Sequence, residues 1–210
     1  MTLRVVLADD HVVLRQGVRA LLERDGLEVV AEASDGRAAV HLARELEPDV
    51  AVLDIMMPLL NGIDAARQIV EACPQTRVVM LTALEQERLV TDAVRAGVRG
   101  FVLKTQAGED LAQAIEQVSR GGFYVGAGVS RAVVEACRAA AVADHDRLTP
   151  RERQVVQLVA EGKSTKQVAA LLAITPKTAE FHRTRVMKKL NVHDVAGLVR
   201  YAIREGLIQA

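Results

Sequence analysis

The stretch VAVLDIMMPLLNG, residues 50–62, begins with an apolar run that stops abruptly at Asp54. Three further apolar runs also end at polar residues: LRVVLA at Asp9-Asp10, RVVML at Thr82 and GFVL at Lys104. The runs are rich in Val and Leu and are separated by amphipathic stretches. This alternation predicts buried parallel strands joined by crossover helices, which is an α/β fold.

The polar ends of the four runs predict one shared site. In an open α/β sheet, ligands bind outside the carboxyl ends of the strands, so these side chains should meet in one crevice. Mg²⁺ prefers oxygen ligands, and we expect Asp10 and Asp54 to bind it directly. A carboxylate can also carry a phosphoryl group when a metal and a cation neutralise the transferring oxygens. Asp54 has the central position, Lys104 can supply positive charge, and Thr82 can donate to a phosphoryl oxygen.

The order and spacing of these signals resemble the receiver domains of two-component response regulators. The likeness covers residues 3–122. It rests on Asp9-Asp10, Asp54-Ile55-Met56-Met57-Pro58 with Asn61-Gly62, Thr82-Ala83 and Phe101-Val102-Leu103-Lys104. It implies a doubly wound, five-stranded parallel sheet of the flavodoxin-like type.

The same resemblance implies roles for individual residues. Asp54 would be the phosphoacceptor. Mg²⁺ would be held by Asp9, Asp10, Asp54 and the backbone carbonyl of Met56. Thr82 and Phe101 would form a switch pair, in which the hydroxyl moves toward the phosphoryl group and the ring turns inward behind it. A Phe in a strand also fits a role in packing alone, and the sequence leaves both roles open for Phe101.

Composition and charge divide the chain into two halves. The formal net charge of the 210 residues is +0. Residues 1–146 carry 15 Lys/Arg against 22 Asp/Glu, a balance of −7, whereas residues 147–210 carry 12 against 5, a balance of +7. A small basic domain is a candidate nucleic-acid binder, although a solvated basic face gives the same count. We predict a receiver domain over 1–122, a linker with a helical segment over 123–146, and a DNA-binding domain over 147–210.

The sequence carries no signal for a membrane or for secretion. It has no 18-residue apolar run, and no basic segment followed by an apolar one at its start, so we expect a cytoplasmic protein without a membrane partner. Cys73 and Cys137 form no CxxC pair and are expected to be reduced thiols. Because the chain has no Trp, any nucleic-acid binding should come from a domain that recognises double-stranded nucleic acid and not from stacking of bases on aromatic side chains.

The C-terminal part predicts four short helices from its capping signals. Thr149-Pro150-Arg151-Glu152 is a capping box that opens a helix through about Ala160. Ser164 opens a second helix through about Leu172. Further caps at Thr175 and Asp194 open a third helix to about Leu190 and a fourth that ends at Gly206. The second and third helices are joined by a tight connection, which is typical of an all-α helix-turn-helix domain.

A helical projection of the third helix separates a core stripe from a candidate DNA surface. Ala179, Val186 and Leu190 fall together on one side. The other side is basic and capable of base contacts, and His182 is left open between a phosphate contact and helix packing. The predicted DNA contacts are Lys177, Thr178, Glu180, Phe181, His182, Thr184, Arg185 and Lys188.

This segment resembles the LuxR-type helix-turn-helix of NarL/FixJ response regulators, over residues 147–209. The matching residues are Leu148-Thr149, Glu152, Val155-Val156, Leu158, Gly162, Lys166-Gln167-Val168-Ala169, Leu172, Thr178, His182, Lys189-Leu190 and Gly206-Leu207-Ile208. The resemblance implies a dimer contact on the last helix. We assign it to Val195, Leu198, Val199 and Ala202.

Together the two halves predict a phosphorylation-controlled, DNA-binding transcription regulator. Its expected partners are a histidine kinase, double-stranded DNA and a second copy of the chain, which pairs when phosphorylated or bound to DNA. One alternative is a phosphate-independent regulator with a degenerate receiver. Another is an aspartyl-phosphatase-type enzyme, which generally needs a second carboxylate where Met56 stands. We expect no enzyme activity beyond slow self-dephosphorylation, because Met56 and Leu84 are apolar and border the path of the attacking water in the family.

Overall fold

A computed structural model describes residues 2–83, 87–126 and 148–209, which divide into two compact units. The first unit is a parallel α/β sheet and the second is a helical domain. The predicted linker helix lies within residues 127–147, outside the described residues, as does Cys137. Cys73 is a buried free thiol. Among the described helices none is long and apolar enough to cross a membrane.

The first unit alternates strands and helices along the chain. Its strands are β1 (Arg4–Ala8), β2 (Glu28–Ala33), β3 (Val50–Asp54), β4 (Arg77–Thr82), β5 (Gly100–Leu103) and β6 (Tyr124–Val125). Its helices are α1 (Val12–Arg24), α2 (Gly36–Leu46), α3 (Gly62–Ala72), α4 (Glu87–Arg95) and α5 (Ala107–Ser119), with a 3₁₀ turn at Lys104–Gln106.

The strands form one parallel sheet in the order β2-β1-β3-β4-β5-β6. The doubly wound parallel fold is confirmed, but the described residues form six strands where five were predicted. The extra strand β6 falls in the segment predicted as a linker, and its two residues are too few to show a pattern in the sequence. Every residue of β3 is buried, which explains why its run is continuously apolar up to Asp54.

The second unit consists of α6 (Pro150–Ala160), α7 (Thr165–Leu171), α8 (Pro176–Leu190) and α9 (Val195–Arg204). All four predicted caps are confirmed. Thr149 and Ser164 each complete a capping box, while Thr175 and Asp194 accept from backbone amides three residues later. These bonds are local, so the residue types alone define where each helix begins. The helices enclose one apolar core that includes Val156, Val168, Ala179, Val186 and Leu198.

Candidate functional site

The predicted strand-end residues meet at one edge of the sheet. Asp9 follows β1, Asp54 and Thr82 end β3 and β4, and Lys104 follows β5. The Lys104 ammonium bridges two carboxylates: its Nζ lies 2.7 Å from Asp9 Oδ2 and 2.9 Å from Asp54 Oδ2. Asp9, Asp54 and Thr82 are buried. The sheet therefore brings together the acidic, hydroxyl and ammonium groups that the sequence predicted.

The acidic cluster fits a divalent cation. Ligand atoms from Asp9, Asp10, His11 and Asp54 all lie within 4.8 Å of one another. His11 Nδ1 lies 2.8 Å from Asp10 Oδ1 and 3.1 Å from Asp9 Oδ1. Among the described residues, the ammonium of Lys104 contacts two of these three carboxylates, so two negative charges remain uncompensated when His11 is neutral. A hard dication with oxygen ligands matches this excess.

Burial and charge shift the pKa of the central groups. Burial raises the pKa of Asp54 to about 6, because Lys104 compensates only part of the desolvation and the neighbouring Asp9 charge opposes ionisation. The amide of Met56 donates to the Asp54 carboxylate and favours its ionised form. Burial lowers the pKa of Lys104, but the two carboxylates outweigh that effect and leave its pKa above the usual value. The Lys104 ammonium is therefore charged at neutral pH.

A close backbone approach positions the loop after Asp54. The amide of Gly62 donates to the carbonyl of Ile55 at 2.8 Å. A Cβ atom on Gly62 would lie 1.9 Å from the backbone oxygen of Asp54, so no larger residue fits without displacement. Asn61 is buried, caps α3 through the Asp64 amide and donates to the Asp64 carboxylate at 3.0 Å. The pair Asn61-Gly62 thus anchors α3 directly beside the acidic cluster.

The predicted switch residues occupy neighbouring buried strands. Thr82 pairs with Leu103 in the sheet and Phe101 pairs with Met80. The Phe101 ring is fully buried and packs against Phe123, with ring centroids 6.1 Å apart and planes tilted by 45°. The burial of this ring fits both roles that the sequence leaves open for Phe101, the switch and packing alone. Sequence reasoning missed Phe123, because nothing local marks it as a partner of a strand residue 22 positions earlier.

The third helix of the second unit, α8, presents the predicted DNA surface. Ala179 and Val186 are buried as predicted, while Leu190 is half-buried. Six of the eight predicted contacts are exposed: Lys177, Glu180, Phe181, Thr184, Arg185 and Lys188. The Phe181 side chain is 61% exposed, which is unusual for an aromatic residue on a packed helix.

The other two predicted contacts are held within the domain. Thr178 is half-buried and its hydroxyl lies 2.9 Å from that of Thr175, at the start of α8. His182 is half-buried, and its ring meets Phe181 edge-on with centroids 5.9 Å apart. The ring contact is with the adjacent residue of the same helix, so this placement fits both helix packing and a phosphate contact for His182.

Three side-chain contacts that the sequence did not reveal hold α8 in place. The buried Glu152 of α6 accepts from Lys189 at 2.8 Å and lies 3.5 Å from Arg185. Burial would raise the pKa of Glu152, but Lys189 and the Thr149 amide outweigh it and lower the pKa. On the exposed side, Thr165 donates to the Glu180 carboxylate at 3.0 Å. These partners lie 15 to 37 residues apart in the chain, beyond any local pattern.

Comparison with known proteins assigns both units. The family model of the response regulator receiver domain matches residues 5–116, and that of the bacterial regulatory proteins of the luxR family matches residues 146–202. The chain belongs to the response regulators with a luxR-type DNA-binding domain. This response regulator is therefore a DNA-binding regulator of transcription, as the sequence predicted.

Relatives match the chain over nearly its whole length. The chain is 37% identical to the transcriptional regulatory protein MctR of Rhizobium johnstonii, over 98% of this chain and 95% of the relative. It is 36% identical to the transcriptional regulatory protein LiaR of Bacillus subtilis, over 98% of this chain and 99% of the relative. A structure of the response regulator RcsB in complex with DNA is similar with a TM-score of 0.59 and 27% identity, covering 96% of this chain and 98% of that one.

In this response regulator the predicted dimer surface needs correction. Leu198 and Ala202 are buried in the core of their own domain, so they pack inside it and do not face a partner. The outward residues of α9 are Val195, 41% exposed, and Ile203, 38% exposed, with Val199 half-buried between them. The four predicted positions mixed the two faces of one amphipathic helix.

Proposed function

We propose that Asp54 accepts a phosphoryl group from a histidine kinase, and that this modification changes how the response regulator binds DNA. The observation that carries the proposal is the position of Lys104. Its ammonium contacts Asp9 and Asp54 together, so it stands where negative charge would build up on a transferring group. The cluster also retains the negative charge that a dication would balance.

The transfer itself requires a nucleophile, a charge partner and a donor. A carboxylate oxygen of Asp54 attacks phosphorus and forms a new P–O bond. The bond from phosphorus to the ring nitrogen of the kinase histidine breaks, and its electron pair returns to that ring. Lys104 balances charge on the phosphoryl oxygens and Thr82 donates to one of them. Burial of Asp54 keeps water from competing with these contacts.

The residues around Asp54 would hold Mg²⁺ for this step. We assign the ligands to Asp9, Asp10, Asp54 and the backbone carbonyl of Met56. When bound, Mg²⁺ supplies charge neutralisation and orientation for the phosphoryl oxygens. The ion would also relieve the mutual repulsion of Asp9 and Asp54, which Lys104 alone compensates incompletely.

On DNA, we propose that the exposed face of α8 lies in the major groove. Lys177, Arg185 and Lys188 would hold phosphates, while Glu180 and Phe181 would contact base edges. A carboxylate accepts from cytosine and an apolar ring contacts a thymine methyl group. Two copies would pair on a two-fold site when phosphorylated, through the outward face of α9 at Val195, Val199 and Ile203.

The protein is proposed to act as a switch and not as a catalyst. Met56 is partly buried beside Asp54 and has no group that orients a water, so loss of the phosphoryl group should be slow. Leu84, the second residue predicted to border that water, lies outside the described residues. Met56 also stands where an aspartyl-phosphatase would need its second carboxylate. The assembled cluster of Asp9, Asp54 and Lys104 gives a degenerate receiver less support than an active one.

Mass spectrometry of the full chain tests the phosphoacceptor. Wild-type protein incubated with acetyl phosphate and Mg²⁺ should gain the mass of one phosphoryl group, and Asp54→Asn should gain none. Asp25→Asn, which removes a carboxylate from the surface end of α1, serves as the matched control and should react like wild type. Phosphorylation of Asp54→Asn to the wild-type extent would refute the assignment. Sedimentation and titration with a target duplex then measure pairing and affinity in both states.

A further inference from the structure

The Asp9-Asp10 turn is anchored from behind by an arginine of α1. The Arg15 guanidinium donates to the backbone carbonyl of Asp9 at 2.6 Å. Its Nε donates to Glu32 of β2 at 3.0 Å, and the side chain is only 14% exposed. Arg15 therefore links two secondary-structure elements to the one peptide bond that joins the predicted metal ligands.

The hydrogen bond from Arg15 is one of four polar contacts that hold Asp9. The Asp9 amide donates to the carbonyl of Ala33 at 3.2 Å. One carboxylate oxygen accepts from the His11 amide at 2.8 Å, and the other lies 2.7 Å from Lys104. With its carbonyl held by Arg15, every polar group of Asp9 has a partner, so the residue has little freedom to rotate.

Asp10 is held much less directly. Its side chain is 32% exposed, and within the described residues its carboxylate contacts His11 Nδ1 at 2.8 Å. The peptide group between Asp9 and Asp10 is planar, so holding the Asp9 carbonyl also fixes the amide of Asp10. The direction in which Asp10 leaves the strand is therefore determined by the group that holds that carbonyl.

We propose that Arg15 is a positioning residue that directs Asp10 toward the divalent cation, and that Glu32 keeps Arg15 in place. The inference rests on the proposed Mg²⁺ site and adds to it the residues that shape it. Glu32 is itself shared, because its second oxygen accepts from Arg19 at 2.8 Å. Arg19 makes a further bond to Glu23 at 2.8 Å on the exposed side of α1.

Electrostatics and positioning predict opposite effects of removing Arg15. A nearby guanidinium repels a dication, so loss of its charge alone would strengthen Mg²⁺ binding. Loss of its hydrogen bond to Asp9 would let the turn relax and would weaken binding. Partners that orient metal ligands typically contribute about tenfold or more to metal affinity. Tighter Mg²⁺ binding after removal of Arg15 would therefore indicate the electrostatic effect, and weaker binding would indicate the positioning effect.

The test measures Mg²⁺ affinity of the full chain by isothermal titration calorimetry. Arg15→Met, which keeps the apolar part of the side chain, should bind Mg²⁺ about tenfold more weakly than wild type. Arg19→Met is the matched control, since it removes the same charge from the same helix and from the same Glu32 partner but makes no contact with Asp9. Its affinity should stay within about twofold of wild type.

A kinetic measurement separates positioning from general damage. The Mg²⁺ concentration that gives half-maximal reaction with acetyl phosphate should rise about tenfold in Arg15→Met, in step with the calorimetric change. The rate at saturating Mg²⁺ should return to the wild-type value, because Asp54 and Lys104 are untouched. Unchanged or tighter Mg²⁺ binding by Arg15→Met would overturn the proposal, as would an equal loss in Arg19→Met.

The remaining outcomes are also decisive. If circular dichroism shows that Arg15→Met does not fold, Mg²⁺ binding is measured on Arg15→Lys instead. The Lys ammonium lacks the planar arrangement in which two guanidinium nitrogens contact Asp9 and Glu32 separately. Weaker Mg²⁺ binding than wild type supports the proposal, and wild-type binding overturns it. Absence of Mg²⁺ binding in wild type would overturn both this inference and the proposed metal site. If wild type binds Mg²⁺ but accepts no phosphoryl group, only the assignment of Asp54 as phosphoacceptor is overturned. The comparison of Mg²⁺ affinity between Arg15→Met and Arg19→Met would still test the present inference.

Discussion

Replacing Asp54 with Asn should stabilise the metal-free protein at neutral pH. Asp54 is buried next to Asp9, and Lys104 compensates their two charges only in part. A neutral amide of nearly the same shape removes one of the two buried charges. The functional carboxylate is therefore expected to reduce the stability of the fold in which it sits.

The magnitude follows from the pKa of Asp54. Burial, aided by the charge of Asp9, raises this pKa from the ordinary 3.8 to about 6 against the opposing effect of Lys104. A difference of about two units corresponds to about 3 kcal/mol. Because the folded state binds the proton more tightly than the unfolded state, this stabilising contribution is fully present below about pH 4 and is lost as the pH rises through about 6. Asn does not titrate, so position 54 of the variant causes no loss of stability over the same pH range.

Urea unfolding of the full chain, followed by circular dichroism in the presence of a chelator, measures this effect. The free energy of unfolding of Asp54→Asn minus that of wild type should increase by about 3 kcal/mol between about pH 4 and about pH 8. Because the substitution changes only the receiver, the difference between the two chains reports on that domain. Glu71→Gln, at an exposed position on α3, is the control for a change of surface charge.

Magnesium should reduce the stability difference between Asp54→Asn and wild type. Mg²⁺ at neutral pH should stabilise wild type more than Asp54→Asn, because the bound dication neutralises the charge that destabilises the free form. A stability difference that stays constant with pH would refute the reasoning, and so would a variant that is less stable than wild type at neutral pH in chelator.

Three further predictions follow from single contacts. Gly62→Ala should lower the unfolding free energy by about 3 kcal/mol or more in a denaturant titration, because its Cβ would meet the Asp54 backbone oxygen at 1.9 Å; a loss below about 1 kcal/mol would contradict the packing argument. Met56→Asn should speed loss of the phosphoryl group, followed by mass spectrometry over time, since an amide can orient water; an unchanged half-life would count against it. Phe181→Ala should weaken binding to a target duplex by about 1 kcal/mol and make it insensitive to replacing the contacted thymine with uracil, whereas equal sensitivity in both proteins would exclude a methyl contact.

The sequence by itself determined the features that depend on local bonding and on strand ends. Four apolar runs that stop at Asp9, Asp54, Thr82 and Lys104 were enough to predict a parallel sheet with one shared site, because parallel strands present the same ends on the same edge. The four helices of the DNA-binding domain were equally predictable. Each begins with a side chain that bonds a backbone amide within the same turn.

Only the tertiary structure decided which face of an element meets which neighbour. The dimer contact assigned to the last helix did not separate Leu198 and Ala202, which fill the core, from Val195, which faces outward, because all three residues are apolar. Arg15 donates a hydrogen bond to the Asp9 carbonyl, and Lys189 donates one to Glu152. Both contacts depend on distances in the folded protein, which the spacing of residues along the chain does not define. Sequence patterns record which residues are buried or capped, whereas the partner of each buried group is set by how the elements pack.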